Sequence, residues 1–224
     1  MLRARGQEEL ETVLDAARLN ERELTPVIKD IGGAGGRDDA PKLDWLWEWL
    51  NKQTGVKLNV FHCNAYISQL ARRQRWSEAV ELCASMPKAG VQPGVFTYSA
   101  VITACEKGEQ WEAAERVFKE MVAAGVQPDV VTYNALISAY VKGAQWERAR
   151  AAFEELVAAG VQPTVITYNA LISAYGKGGQ WERARASFEE MRAAGVQPTV
   201  ITYSALISAY EKGAQWEQDR KSVV

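Results

Sequence analysis

The sequence predicts an all-α fold, a solenoid of repeated antiparallel helical hairpins. Two observations lead there. The first is repetition. Val126–Gly160 reads VQPDVVTYNALISAYVKGAQWERARAAFEELVAAG, and Val161–Gly195 repeats it as VQPTVITYNALISAYGKGGQWERARASFEEMRAAG. Counted from the residue after the proline, units open at Gly94, Asp129, Thr164 and Thr199, 35 residues apart, and one step back reaches Asn59 in the same register. The second is that each unit holds two helical patterns and two breaks. A fixed period in this range marks supersecondary units that bury their apolar faces only by stacking on one another.

Taken in chain order, residues 1–23 form a capping helix with Leu10, Val13, Leu14 and Ala17 on one face. Residues 24–58 are a degenerate unit with a lengthened loop, IGGAGGRDDAP, at Ile31–Pro41. That loop lacks the Lys-Ser/Thr and the preceding strand of a phosphate cradle, so it reads as a connection. Leu43–Gln53 carries Trp45, Trp47 and Trp49 on a helix, which suits packing at the end of the stack better than base stacking. Repeats follow at 59–93, 94–128, 129–163 and 164–198. A truncated fifth at 199–224 stops inside its second helix, as a fragment of a longer chain would.

The Asp129 unit explains the rest. Its first helix runs from about Val131 to Lys142 and ends at Gly143; its second runs from Trp146 to about Ala159. Gly160 supplies a left-handed cap, and Pro163 cannot continue a helix. At about 100° per residue, Tyr133, Leu136, Ile137 and Tyr140 share the core side. Val131, Asn134, Ser138 and Lys142 fall within about 80° of one another on the opposite side. Trp146, Ala149, Phe153 and Leu156 pack the second helix, while Glu147, Arg148, Arg150, Glu154 and Glu155 form a mixed solvated face. The stripe of one apolar, two small polar and one cationic residue, repeated in every unit, is the place to expect a ligand.

Composition narrows the chemistry. The chain has 224 residues, a net charge of −2 and one histidine. It contains no apolar run of about 18 residues, so no membrane partner is expected. MLRARG at the N-terminus is followed by Glu8, Glu9 and Glu11, which does not make a clear transit peptide. Cys63, Cys83 and Cys105 stand where other units have Tyr, Phe and Tyr, so all three are core fillers. His62 stands where the others have Thr97, Thr132, Thr167 and Thr202. No metal site, cofactor, small-molecule substrate or catalytic residue is expected.

The run D/T-V-V-T-Y-N-A-L-I-S-A-Y, the glycine, and a second helix closing in E-E-M-x-A-A-G-V-Q-P resemble the pentatricopeptide repeat family, at full strength over about residues 59–224. The resemblance implies a right-handed solenoid. It also implies a role in chloroplasts or mitochondria: binding single-stranded RNA, one base per repeat, to steer its processing, stability or translation. In that family the sixth residue of a unit and the first of the next read the base. Carried over, the pairs are Asn64 with Gly94, Ser99 with Asp129, Asn134 with Thr164, and Asn169 with Thr199, with Ser204 left unpaired. The family pattern gives pyrimidines to Asn and purines to Ser, and Ser99 with Asp129 points to G. Gly94, Thr164 and Thr199 depart from the usual Asp or Asn there. The family's base-sandwiching place falls on Phe61, Phe96, Val131, Ile166 and Ile201.

The residues themselves add a cation ladder, Arg72, Lys107, Lys142, Lys177 and Lys212, at the same spacing and on the stripe face. A basic residue near a helix C-terminus is favoured by the dipole alone. Its alignment with the Asn/Ser place suits a phosphate backbone. Glu106 and Glu211, one residue before a ladder cation, should weaken the local attraction. A scaffold for a protein partner is the alternative function. An enzyme is the least supported reading, because neither clustered aspartates nor an H-x-E and C-x-x-C pair occurs.

Overall fold

The computed structural model describes residues 58–213, together with 44–48 and residue 26. The expected N-terminal capping helix, the glycine-rich loop, Trp49 and the end of the truncated repeat lie outside the described residues. Every regular element among those described is helical. In order they are α1 (Val60–Arg72), α2 (Trp76–Ser85), a 3-10 turn (Met86–Ala89), α3 (Val95–Lys107), α4 (Trp111–Ala123), α5 (Val130–Lys142), α6 (Trp146–Ala158), α7 (Val165–Lys177), α8 (Trp181–Ala193) and α9 (Val200–Lys212). This is the expected all-α series of helical hairpins. The chain divides into two compact units, residues 1–104 and 105–224.

In the first unit, α1 starts on a reciprocal cap. Asn59 Oδ1 accepts from the N–H groups of Phe61 and His62 at 3.0 and 3.2 Å. His62 Nδ1 accepts from the Asn59 N–H at 3.3 Å. The histidine thus performs the capping task that threonine performs elsewhere, and it is fully buried. Of the tryptophans, Trp47 stacks on Tyr66 with ring centroids 4.3 Å apart and planes 6° from parallel. Leu46 beside it is fully buried. Asp44 accepts from the Tyr66 hydroxyl at 3.1 Å and from Arg75 at 2.5 Å. This segment is packing, as expected, and Cys63 and Cys83 are buried fillers. Burial pushes the Cys63 thiol up to about 11.

In the second unit the core face read from α5 is buried at Tyr133, Leu136, Ile137 and Tyr140, against Ala149, Phe153 and Leu156 of α6. Aromatic rings join consecutive repeats. Phe118 meets Tyr133 at 5.4 Å, Phe153 meets Tyr168 at 5.3 Å, and Phe188 meets Tyr203 at 5.6 Å. Burying one such side chain contributes about 1.5–3 kcal/mol. The same register carries Trp111–Tyr140, Trp146–Tyr175 and Trp181–Tyr210 at 5.7–6.2 Å. Cys105 is fully buried, and its thiol is pushed up to about 11 by burial.

Two features of the repeat depend on its neighbour. Gly143 is the C-cap of α5, as expected, with φ −77°. The left-handed residue is the next one, Ala144 at φ 56°, and the Gln145 N–H then donates to Tyr140 O at 2.8 Å. Gly143 is glycine because a Cβ there would stand 2.3 Å from Trp111 Cδ1; Gly178 and Gly213 meet Trp146 and Trp181 in the same way. The second-helix charges form a mostly exposed mixed face, as expected, and also reach neighbouring repeats. Arg148 donates to both carboxylate oxygens of Glu115 at 3.0 and 2.9 Å and lies 4.9 Å over the Trp111 ring. Arg150 bonds Glu154 at 2.7 Å and Glu190 at 3.1 Å. Arg148–Glu115 and Arg150–Glu190 tie one repeat to its neighbour, each worth up to about 1 kcal/mol at such exposure.

Candidate nucleic-acid interface

The stripe begins at each helix N-terminus. Asn59, Asp129, Thr164 and Thr199 are the N-caps of α1, α5, α7 and α9. Asp129 Oδ1 accepts from the Thr132 N–H at 2.8 Å, which satisfies an orphan donor of the first turn. Gly94 has no side chain to cap with. Its N–H donates to Thr97 Oγ1 at 3.2 Å, and a Cβ added at Gly94 would meet nothing within 4 Å. Three of the first-place residues suggested for base reading, Asp129, Thr164 and Thr199, are therefore also structural caps. Sequence reasoning did not assign them that duty, although Asp and Thr three residues before a polar N3 residue are its usual signal.

Two residues further along, the apolar members of the stripe point to solvent. Phe61, Phe96, Val131, Ile166 and Ile201 are between 56% and 68% exposed. Large apolar side chains so placed at one register of every repeat contribute nothing to the core and are available to a ligand.

The sixth residues sit one turn later. Asn64, Asn134 and Asn169 are half-buried, Ser99 is buried, and Ser204 is exposed. Asn64 Oδ1 accepts from Thr97 Oγ1 at 2.7 Å, Asn134 Oδ1 from Thr167 at 2.7 Å, and Asn169 Oδ1 from Thr202 at 2.6 Å. The three asparagines are thereby linked to the opening turn of the following repeat, where Gly94, Thr164 and Thr199 lie. In the sequence these buried threonines show only as the register partners of His62, and their repetition at N3 is the signal of this role.

At the far end the cations separate. Lys142 Nζ lies 2.7 Å from Glu106 Oε1 and 3.1 Å from Glu106 O, and Ser138 also donates to that carboxylate at 3.1 Å. Lys177 Nζ donates to a backbone carbonyl instead, that of Val141, at 3.3 Å. Both cations thus neutralise the C-terminus of the preceding first helix. Glu106 engages the lysine of the next repeat rather than its neighbour Lys107. All five ladder cations, Arg72, Lys107, Lys142, Lys177 and Lys212, are exposed.

In the first unit these groups come together. Phe61, Asn64, Ser68, Arg72 and Phe96 line an open groove of about 710 Å³. Gln69 also lines it, where the later units have Ala104, Ala139, Ala174 and Ala209. Its Oε1 is buried without a hydrogen-bond partner. An unpartnered buried acceptor of that kind is uncommon, and composition gave no hint of it. Among the described residues no group of three or more His, Cys, Asp or Glu could hold a metal ion, and no helix is long and apolar enough to cross a membrane.

Comparison with known proteins agrees with this architecture. Pentatricopeptide repeat family models match residues 58–107 and 163–212, residues 96–126, and, as a pentatricopeptide repeat domain, residues 116–178. A search of curated proteins gives no significant match. The crystal structure of the pentatricopeptide repeat protein PPR10 from maize is similar, with 30% identity, a TM-score of 0.73, and coverage of 96% of this chain and 32% of that one. PPR10 in complex with an 18-nt psaJ RNA element gives 29% identity, a TM-score of 0.75, and coverage of 96% and 31%. The chain thus spans about a third of the length of the maize protein structures it matches. The PPR domain of Arabidopsis thaliana protein-only RNase P 1, in complex with tRNA, shares the fold at 19% identity and a TM-score of 0.59, covering 70% of this chain and 83% of that one. With matching repeats running from residue 58 to residue 212 and this likeness in three dimensions, the chain belongs to the pentatricopeptide repeat family.

Proposed function

We propose that this chain is a sequence-selective, single-stranded RNA-binding module that serves organellar RNA processing, stability or translation and carries no chemistry of its own. The observation that supports this most is the groove of the first unit. It gathers two exposed aromatic side chains, an asparagine amide and an arginine within one open space. Aromatic faces accept any base by stacking, amides address base edges, and a guanidinium addresses phosphate. A peptide-binding scaffold has no comparable use for a polar residue and a cation recurring beside each exposed apolar one. The RNA bound by the maize relative supports the same reading. In it, Asn64/Gly94, Ser99/Asp129, Asn134/Thr164 and Asn169/Thr199 are the reading pairs. Phe61, Phe96, Val131, Ile166 and Ile201 flank the bases, and the ladder cations meet phosphates. The organellar setting is proposed from the family resemblance alone.

The test is fluorescence anisotropy with single-stranded RNA, duplex RNA and an unrelated peptide library. Single strands are expected to bind. Phe61→Ala with Phe96→Ala should lower affinity by about 1–3 kcal/mol for each stacked base removed. Equal binding by the double variant would remove the groove from the site. Binding of peptide but not RNA would favour the scaffold. Expression of the full-length gene product fused to a fluorescent protein would settle the compartment.

A further inference from the structure

We propose that Thr97, Thr167 and Thr202 are positioning residues for base reading, each fixing which end of the preceding repeat's asparagine amide faces the ligand. The inference rests on the RNA-binding reading of the stripe. Each threonine is fully buried and occupies the third position of its helix. Each hydroxyl accepts from a backbone N–H at the helix start: Gly94 at 3.2 Å, Thr164 at 3.0 Å and Thr199 at 2.9 Å. A hydroxyl has one proton to give. That proton goes to Asn64, Asn134 or Asn169 Oδ1, at 2.6–2.7 Å.

The amide orientation follows from satisfying that proton. Were the asparagine turned with its NH2 inward, the hydroxyl would accept twice and need another acceptor. At Thr97 the neighbouring first-place residue is Gly94, which offers no side-chain acceptor. At Thr167 and Thr202 the alternatives are the hydroxyls of Thr164 and Thr199, further away at 3.2 and 3.3 Å. A buried donor without a partner is costly, so Oδ1 is held inward. The NH2 group remains for the ligand, with two donors and no acceptor. Without the threonine, the same amide could rotate by half a turn and offer either a donor or an acceptor. The repeat would then lose its choice between bases that carry an acceptor at that place and bases that carry a donor.

The Ser99 repeat is built differently. Thr132 Oγ1 lies 2.8 Å from Asp129 Oδ1, its own N-cap, and the preceding sixth residue is a serine, which has no amide to orient. The positioning device belongs to the asparagine repeats.

The experiment is selection from a randomised single-stranded RNA pool with the full chain as wild type, Thr167→Val, Thr202→Val and Thr167→Ser, each checked for folding by circular dichroism. Wild type should enrich two adjacent positions about fivefold or more in favour of one base class, through Asn134 and Asn169. Thr167→Val should flatten one of them to within about twofold and leave the other unchanged, and Thr202→Val should do the converse. Thr167→Ser keeps the hydroxyl and should keep the preference. A purely structural role would instead lower affinity for all sequences with the preferences intact, and that result overturns the proposal. So does loss of preference in Thr167→Ser, which does not require the valine variant to fold. A wild type that enriches no sequence and binds no single-stranded RNA fails earlier, at the function itself. The side-chain NH2 signals of Asn134, compared by NMR in RNA-free wild type and Thr167→Val, then report whether the hydrogen bond exists.

Discussion

The repeats 129–163 and 164–198 differ at few positions, yet their exposed stripes are electrostatically unlike. Both place an exposed branched residue, a half-buried asparagine and a lysine on the first helix. In the earlier repeat Lys142 is held by the Glu106 carboxylate, while in the later one Lys177 rests on the Val141 carbonyl. The earlier repeat opens on a carboxylate cap and the later one on a hydroxyl. A cation ladder that is uniform as a string of letters is therefore uneven as a source of charge, and the unevenness is set by the residue before each cation in the preceding repeat.

The largest effect should come from what the two repeats share. Gly178→Ala would drive a Cβ to 2.5 Å from Trp146 Cδ1, and Gly143→Ala would do the same against Trp111. Each should destabilise the fold by about 1–3 kcal/mol, read as a lower midpoint in urea, and by similar amounts if the notch is equivalent in both repeats. An unchanged midpoint in either would show that the tryptophan can swing away there.

Next comes the opening residue. The hypothesis that Ser99 and Asp129 select G expects Asp129→Asn to move the preference toward A, and Ser99→Asn to move it toward pyrimidines. The change should be on the order of 1 kcal/mol, read by selection from a randomised pool. If neither variant alters any position, that pair does not read a base.

A comparable gain in stability is expected where the repeats differ in backbone. Ala144 and Gly179 occupy the same left-handed place, at φ 56° and 67°. Ala144→Gly should raise stability by up to about 1 kcal/mol, and Gly179→Ala should lower it by as much. Thermal unfolding of both variants checks the sign.

The smallest effect tests the ladder itself. Lys177→Ala should reduce the slope of log affinity against log salt by about 0.7, one phosphate contact. Lys142→Ala should change it less, because Glu106 already engages that lysine. Glu106→Gln should release it and raise affinity for all RNA sequences alike, by less than about 1 kcal/mol for a pair this exposed. Equal slopes for Lys142→Ala and Lys177→Ala would erase the difference.

Much of the fold was legible because period and face are properties of one repeat. Tyr133, Leu136, Ile137 and Tyr140 could be placed in the core, and Val131 outside it, by angle alone. The cysteines followed from register: each stands where other repeats bury an aromatic ring. What was not legible concerns two repeats at once. Gly143 reads correctly as a helix stop, but the reason it is glycine appears only when Trp111 of the preceding repeat is seen against it. Arg148 resembles a solvated charge until Glu115 receives it. Asn134 resembles a free amide until Thr167, from the following repeat, holds one end. Helical angle on a single hairpin does not give the offset between hairpins, and all three depend on it.

The helix caps have a consequence for how such a chain can change its target. The residues suggested to read bases at the first place are drawn from Asp, Thr and Gly, which are also residues that start helices well. On the proposed reading, exchanging one of these for another would rewrite a recognition letter while leaving the helix start capped, or nearly so. At Gly94, where a new side chain meets open space, even the step from no letter to a letter is sterically free. Specificity can therefore drift, or be re-engineered, along a path on which every intermediate still folds.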